Sequence, residues 1–144
     1  MDVDFAGRYR LQREIGRNQD AILYAAEQKY TRRSVTIELL RTEARKDAKL
    51  RDLLLREAGT LGTARHAHIV DVVDAGQAGP TNPFLATEPL EGRTLDGVLA
   101  SRSTLPVDEA LLIAVAIGIG LAHAHGLGIH HHGLNPSFVF LPSA

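Results

Sequence analysis

The sequence predicts an α+β domain, a run of strands with one helix set among them and further helices behind. Three observations carry that expectation. Residues 9–40 hold three short stretches of strand character, marked by alternation of apolar and polar side chains or by β-branched residues. Leu50, Leu53, Leu54, Ala58 and Leu61 then recur at helical spacing with no proline among them. Past Glu91-Gly92-Arg93, strand character gives way to helical character, so this tripeptide is the one plausible seam.

In chain order, residues 9–15 (YRLQREI) alternate as a strand does, and residues 16–20 (GRNQD) carry turn chemistry. Residues 21–26 (AILYAA) return as a second strand, which makes the pair a hairpin. Residues 33–40 (RSVTIELL) form a third strand, and the helix is expected over 47–64. Two more strands are expected over 68–76 (HIVDVVDAG) and 84–90 (FLATEPL), joined by the Gly- and Pro-bearing loop 76–83. A short helix over 94–102 has Thr94 in place to cap it. A longer helix over 108–125 follows Pro106, and residues 138–141 close with a short strand.

The chain has 144 residues, an apolar fraction of 44% and a net charge of −1. That length suits one compact domain, and the charge gives nothing to draw nucleic acid or anionic membrane by bulk electrostatics. There is no cysteine, which removes disulfides and thiolate metal sites and fits a reducing, cytoplasmic setting. The opening MDVDFAGRYR carries two acids and no apolar core, so it does not read as a signal peptide. The apolar run 110–122 is shorter than the ~20 residues that span a bilayer. No membrane segment is expected.

Four local strings, in order and at the right spacing, carry a resemblance. Arg8-Tyr9-Arg10-Leu11 with Ile15-Gly16 matches an opening strand, and Arg56-Glu57-Ala58 followed by His66-Ala67-His68-Ile69-Val70 matches a helix-to-strand signature that usually ends HPNIV. Residues 87–95 (TEPLEGRTL) match a hinge between two lobes. Ala124-His125-Gly126, Gly128-Ile129, Leu134 and Pro136 match the run usually written GIVHRDLKPxNI. From about residue 9 to 141 the chain resembles the eukaryotic-like protein kinases, especially bacterial serine/threonine kinases. The resemblance implies a kinase-like small lobe over 1–91, five antiparallel strands plus one helix. It implies a partial large lobe over 92–144, two helices and a degenerate catalytic loop, truncated after that loop.

Kinase chemistry is mostly positioning and charge neutralisation around a triphosphate, so each altered position has a separate consequence. Of the three glycines expected in the phosphate loop, Gly16 stays while Asn18 and Ala21 hold the other places. The resemblance puts Glu38 where the strand-three lysine belongs, with Thr36 at the neighbouring alanine. Glu57 keeps the helix acid that would pair with that lysine. Two carboxylates ~4 Å apart at an effective dielectric near ~20 repel by about 4 kcal/mol. An outward helix or an arginine bridge is the expected relief, retention of a proton the alternative.

His131 falls at the first position of HRD, with His132 for the arginine and Gly133 for the aspartate. Asn135 replaces the loop lysine and Phe138 the asparagine that holds magnesium. A DFG segment would lie beyond residue 144. The resemblance therefore implies a pseudokinase with no catalytic residue and no cofactor or metal. Its residual pocket consists of Gly16, Thr36, Glu57, Thr87 as gatekeeper, and the hinge groups Glu88 C=O and Leu90 N–H. Five of the seven histidines fall between 123 and 132, but a structural zinc site needs four ligands and no cysteine is present.

The helix over 108–125 is apolar on every face, and such a helix demands cover. Leu111, Leu112, Val115 and Ile119 are the interface candidates. The expected function is an interaction or scaffold module, self-associating or bound to a protein partner such as a true kinase. The alternative is a domain that senses nucleotide or another small ligand through the residual hinge.

Overall fold

The computed structural model describes residues 2–143. They fall into two compact units, one built from residues up to 63 with 71–90, the other from 64–70 with residues from 91 onward.

The first unit is a six-stranded antiparallel sheet with one helix. Its strands are β1 (Val3–Phe5), β2 (Tyr9–Arg17), β3 (Ala21–Gln28), β4 (Ser34–Leu40), β5 (Val72–Gln77) and β6 (Pro83–Thr87), in the order β1-β2-β3-β4-β6-β5. The sheet has one strand more than the sequence suggested. β1 is three residues long, and a period of two cannot be read from so few; Ala6 and Gly7, both at positive φ, turn the chain so that Phe5 pairs with Tyr9.

One core cluster gathers Phe5, Tyr9, Leu11, Ala26, Val35, Ile37, Phe84 and Ala86. Phe84 is fully buried and meets Phe5 and Tyr9 edge to face, with ring centroids 5.2 and 5.6 Å apart. The Tyr9 hydroxyl donates to Asp74, which Arg8 also grips at 3.0 Å. Burial, and then that bond to Asp74, push the Tyr9 phenol up to about 12. All five residues of β6 are buried, between β4 and the edge strand β5.

Helix α1 (Ala48–Leu61) starts where Asp47 accepts the Lys49 N–H at 2.8 Å, a side-chain N-cap. It lays Leu50, Leu54 and Ala58 on Leu40, Ala44, Ala75 and Leu85. The strand expected over 68–76 begins only at Val72. The Ile69 N–H closes a turn onto the His66 carbonyl at 3.1 Å, and His66 Nδ1 accepts the His68 N–H at 3.0 Å, so the chain is not extended there.

The second unit holds β7 (Gly92–Thr94), α2 (Leu95–Arg102), α3 (Val107–Gly126) and β8 (Phe140–Pro142). Thr94 caps α2 through the Gly97 N–H, as expected. β7 pairs with β8 in a two-stranded ribbon that the sequence did not announce. Gly92 has φ +142, and a Cβ there would sit 2.1 Å from the Leu141 carbonyl oxygen, so only glycine can begin this strand. The strand expected over 138–141 is split, with a 3₁₀ turn at Pro136–Phe138 preceding β8.

α3 runs 20 residues, longer than the uninterrupted apolar run inside it, and by length and composition alone it could cross a membrane. Only Gly120 and Ala124 are buried. Gly120 lies against the backbone of His68, where a Cβ would come within 3.0 Å of the carbonyl oxygen. Leu111, Leu112, Val115 and Ile119 are 59%, 73%, 57% and 47% exposed.

Candidate functional site

The β2–β3 hairpin is tighter than a phosphate-binding loop needs to be. β2 continues through Gly16 to Arg17, which pairs with Ile22, so only residues 18–20 turn. The Asn18 side chain accepts the N–H groups of Asp20 at 3.0 Å and Ala21 at 2.8 Å. These are the donors a phosphate would need at such a turn, and they are already engaged. A Cβ at Gly16 would make only an ordinary contact with Leu23. Local packing therefore does not require this glycine.

β4 pairs directly with β6, which sets Thr36 opposite Thr87 and Glu38 opposite Leu85. Thr36 and Thr87 are both buried. The Thr36 hydroxyl oxygen accepts the Leu90 N–H at 3.1 Å. The Thr87 hydroxyl donates to the Glu88 carbonyl at 3.1 Å. Glu88 is further clasped to residue 71: its N–H donates to the Asp71 carbonyl, and its carboxylate accepts the Asp71 N–H, each at 2.9 Å. The two hinge groups named from the sequence thus both have partners within this unit.

Glu38 is a half-buried acid beside these groups. Burial pushes its carboxyl up to about 7, and the neighbouring Glu57 adds to the rise. Glu57, on the exposed side of α1, is raised by burial alone. The asymmetry follows from sequential titration: the first acid to ionise faces a neutral neighbour, the second faces a carboxylate. Among the described residues, no arginine or lysine pairs with either acid. The rise in the Glu38 carboxyl favours its protonated form, one of the ways such a pair can coexist.

The 131–138 loop, which the family resemblance aligns with a catalytic loop, lies in the second unit. His132 has φ +63, and the His131 ring meets Phe138 edge to face at 5.0 Å, where burial pulls its imidazole below the ordinary range. Asn135 caps the 3₁₀ turn, its side-chain oxygen accepting the Ser137 N–H at 2.8 Å. A Cβ at Gly133 would meet open space. The loop could accept an aspartate there; what is missing is the carboxylate, not the room for it.

The histidines pack in two groups. His66 contacts His68 and His123, with ring centroids 5.6 and 4.8 Å away; His130 contacts His125 and His132 at 4.8 and 5.9 Å. No group of three or more metal-ligating side chains is arranged around a common point among the described residues. The sequence pointed to the 123–132 cluster but not to His66 and His68 beside it, which the turn at 66–69 brings to α3. The parts played by Asn18 and Thr36 also went unseen, since a hydroxyl or amide advertises no particular partner.

An antiparallel sheet of this order with one helix laid on it, a strand leading into a hinge, and a histidine-led loop behind two helices define a kinase-type fold. The protein kinase domain family matches residues 9–143, and the chain belongs to that family. It is similar to the serine/threonine-protein kinase PksC of Streptomyces coelicolor, 31% identical over 142 residues, 94% of this chain and 26% of that protein. It is also similar to a probable kinase PknB of Lactococcus lactis, 32% identical over 141 residues, 97% of this chain and 22% of that protein. The chain spans about a quarter of the length of these relatives. The crystal structure of the Mycobacterium tuberculosis PknI kinase domain superposes with a TM-score of 0.84 at 28% identity, covering 99% of this chain and 57% of that one.

Proposed function

We propose that this kinase-family chain is a non-catalytic interaction module that self-associates through α3. One observation carries the loss of catalysis: where the family resemblance calls for a lysine, Glu38 is half-buried with Glu57 near it, and among the described residues no ion pair joins it to a cation. A triphosphate brought there would meet like charge where transfer needs neutralisation. Gly133 cannot take a proton from a hydroxyl, and Phe138 cannot hold magnesium.

The interaction half rests on the exposed face of Leu111, Leu112, Val115 and Ile119. Between Ala110 and Ala122 that helix has no charged residue, and the chain's net charge is −1. A second copy needs no complementary charge to pair with such a face and meets little repulsion. A Cβ at Gly118 would meet open space, so another helix backbone can approach closely there.

Light scattering across a concentration series tests this. The wild type should exceed its monomer mass of 15.6 kDa as concentration rises, and Leu112→Glu with Val115→Glu should return it to monomer. A wild type that stays monomeric throughout would remove the self-association. Association only when another kinase chain is added would assign the face to that partner instead.

A further inference from the structure

We infer that the adenine edge of this fold is closed from within, and that the Thr36 side chain is the plug that excludes a purine. A flat base that docks at a kinase hinge donates to one backbone carbonyl and accepts from one backbone N–H. Here those groups are the Glu88 carbonyl and the Leu90 N–H. Both are already bonded, the first by the Thr87 hydroxyl and the second by the Thr36 hydroxyl. Thr36 is 1% exposed, so its hydroxyl is fixed by packing as well as by this bond.

The two bonds differ in what they cost a ligand. The Thr87 hydroxyl and the Glu88 carbonyl belong to adjacent residues, and a carbonyl oxygen has a second lone pair to offer. An N–H has a single hydrogen and no such reserve. A base must therefore displace the Thr36 oxygen to reach Leu90, and must find room where a methyl and a hydroxyl now stand. Thr36 faces Thr87 across the β4–β6 ladder, and both are buried, so little room is left beside the Thr36 side chain. Asn18 closes the turn N–H groups of the β2–β3 hairpin in the same manner, by a side chain standing in for an external acceptor.

The inference shares with the non-catalytic reading only the placing of Glu88 and Leu90 at the hinge. Adenosine is the right probe, because it carries no phosphate for Glu38 and Glu57 to repel. Calorimetric titration of adenosine into wild type, Thr36→Ala and Thr36→Ser separates the cases, with amide exchange read at Leu90 in the same proteins and in Thr36→Val. The expected results are no saturable binding by wild type or Thr36→Ser, and at least tenfold tighter, saturable binding by Thr36→Ala. Leu90 exchange should quicken in Thr36→Ala and Thr36→Val and stay slow in Thr36→Ser, which keeps the hydroxyl. Saturable binding by wild type as tight as by Thr36→Ala would overturn the plug, as would Thr36→Ala that exchanges faster at Leu90 yet binds nothing. Unchanged Leu90 exchange in Thr36→Val would remove the bond itself. Self-association reads none of these quantities, so the two readings fail separately.

Discussion

The strands β4 and β6 and the helix α3 treat their surroundings in opposite ways. Around β4 and β6, and at the β2–β3 turn, several polar backbone groups take side-chain partners from within the unit. Thr36 takes the Leu90 N–H, Thr87 the Glu88 carbonyl and Asn18 the hairpin amides. On α3 the reverse holds: among the described residues, four large apolar side chains are about half exposed or more. A buried polar group without a partner costs free energy wherever it stands, so the first region closes on itself. An apolar face can be covered only by another surface, so the second region points outward. The contrast is between polar groups satisfied from within and an apolar face left open to solvent.

The largest effect expected from that contrast is in the core. Phe84→Ala should cost about 3–5 kcal/mol in urea unfolding, because a fully buried ring between Phe5 and Tyr9 leaves a cavity. Leu112→Ala, at 73% exposure, should stay within about 0.5 kcal/mol for the isolated chain. Equal costs at the two sites would mean that α3 is covered in solution.

Next is the buried acid. Glu38 holds its proton more tightly folded than unfolded, with a pKa of about 7 against 4.5. Stability is then highest below the unfolded value and falls as pH rises through the folded one, by on the order of 3 kcal/mol. Unfolding measured at about pH 5 and about pH 8 should show that fall in wild type, and Glu38→Gln should flatten it. A wild type equally stable at both would place the carboxyl in water. Glu38→Lys should stabilise the fold at the higher pH by pairing with Glu57.

Smaller effects belong to the termini of helices. Asp47→Ala should cost about 1 kcal/mol through the lost cap of α1. Separating Arg102 from Glu109, bonded at 2.9 and 3.4 Å on an exposed face, should cost about 0.5 kcal/mol and less as salt is added.

Most of the sheet and all three helices were legible in the sequence, because their apolar repeats are long enough to show a period. β1, β7 and β8 were not clear, since strands of three residues take their identity from their partners. The late start of β5 depends on His66 bonding to the backbone of His68, a tertiary detail with no periodic signature. As residue types, Glu38, Gly133 and Phe138 stand out when the family pattern is laid over the chain. How the two acids coexist was not legible, because the choice between a proton, a bridge and a moved helix depends on which cations lie within reach. The same limit hid Thr36, which the sequence placed at the alanine position and the structure shows as a hydrogen-bond partner of Leu90.

The central claim, that this kinase fold no longer performs phosphoryl transfer, is tested most directly by incubating the purified chain with γ-labelled ATP, magnesium and a general protein substrate. No label should pass to substrate or to the chain itself, with or without Thr36→Ala. Magnesium-dependent transfer that disappears on replacing Glu38 or Glu57 would contradict it.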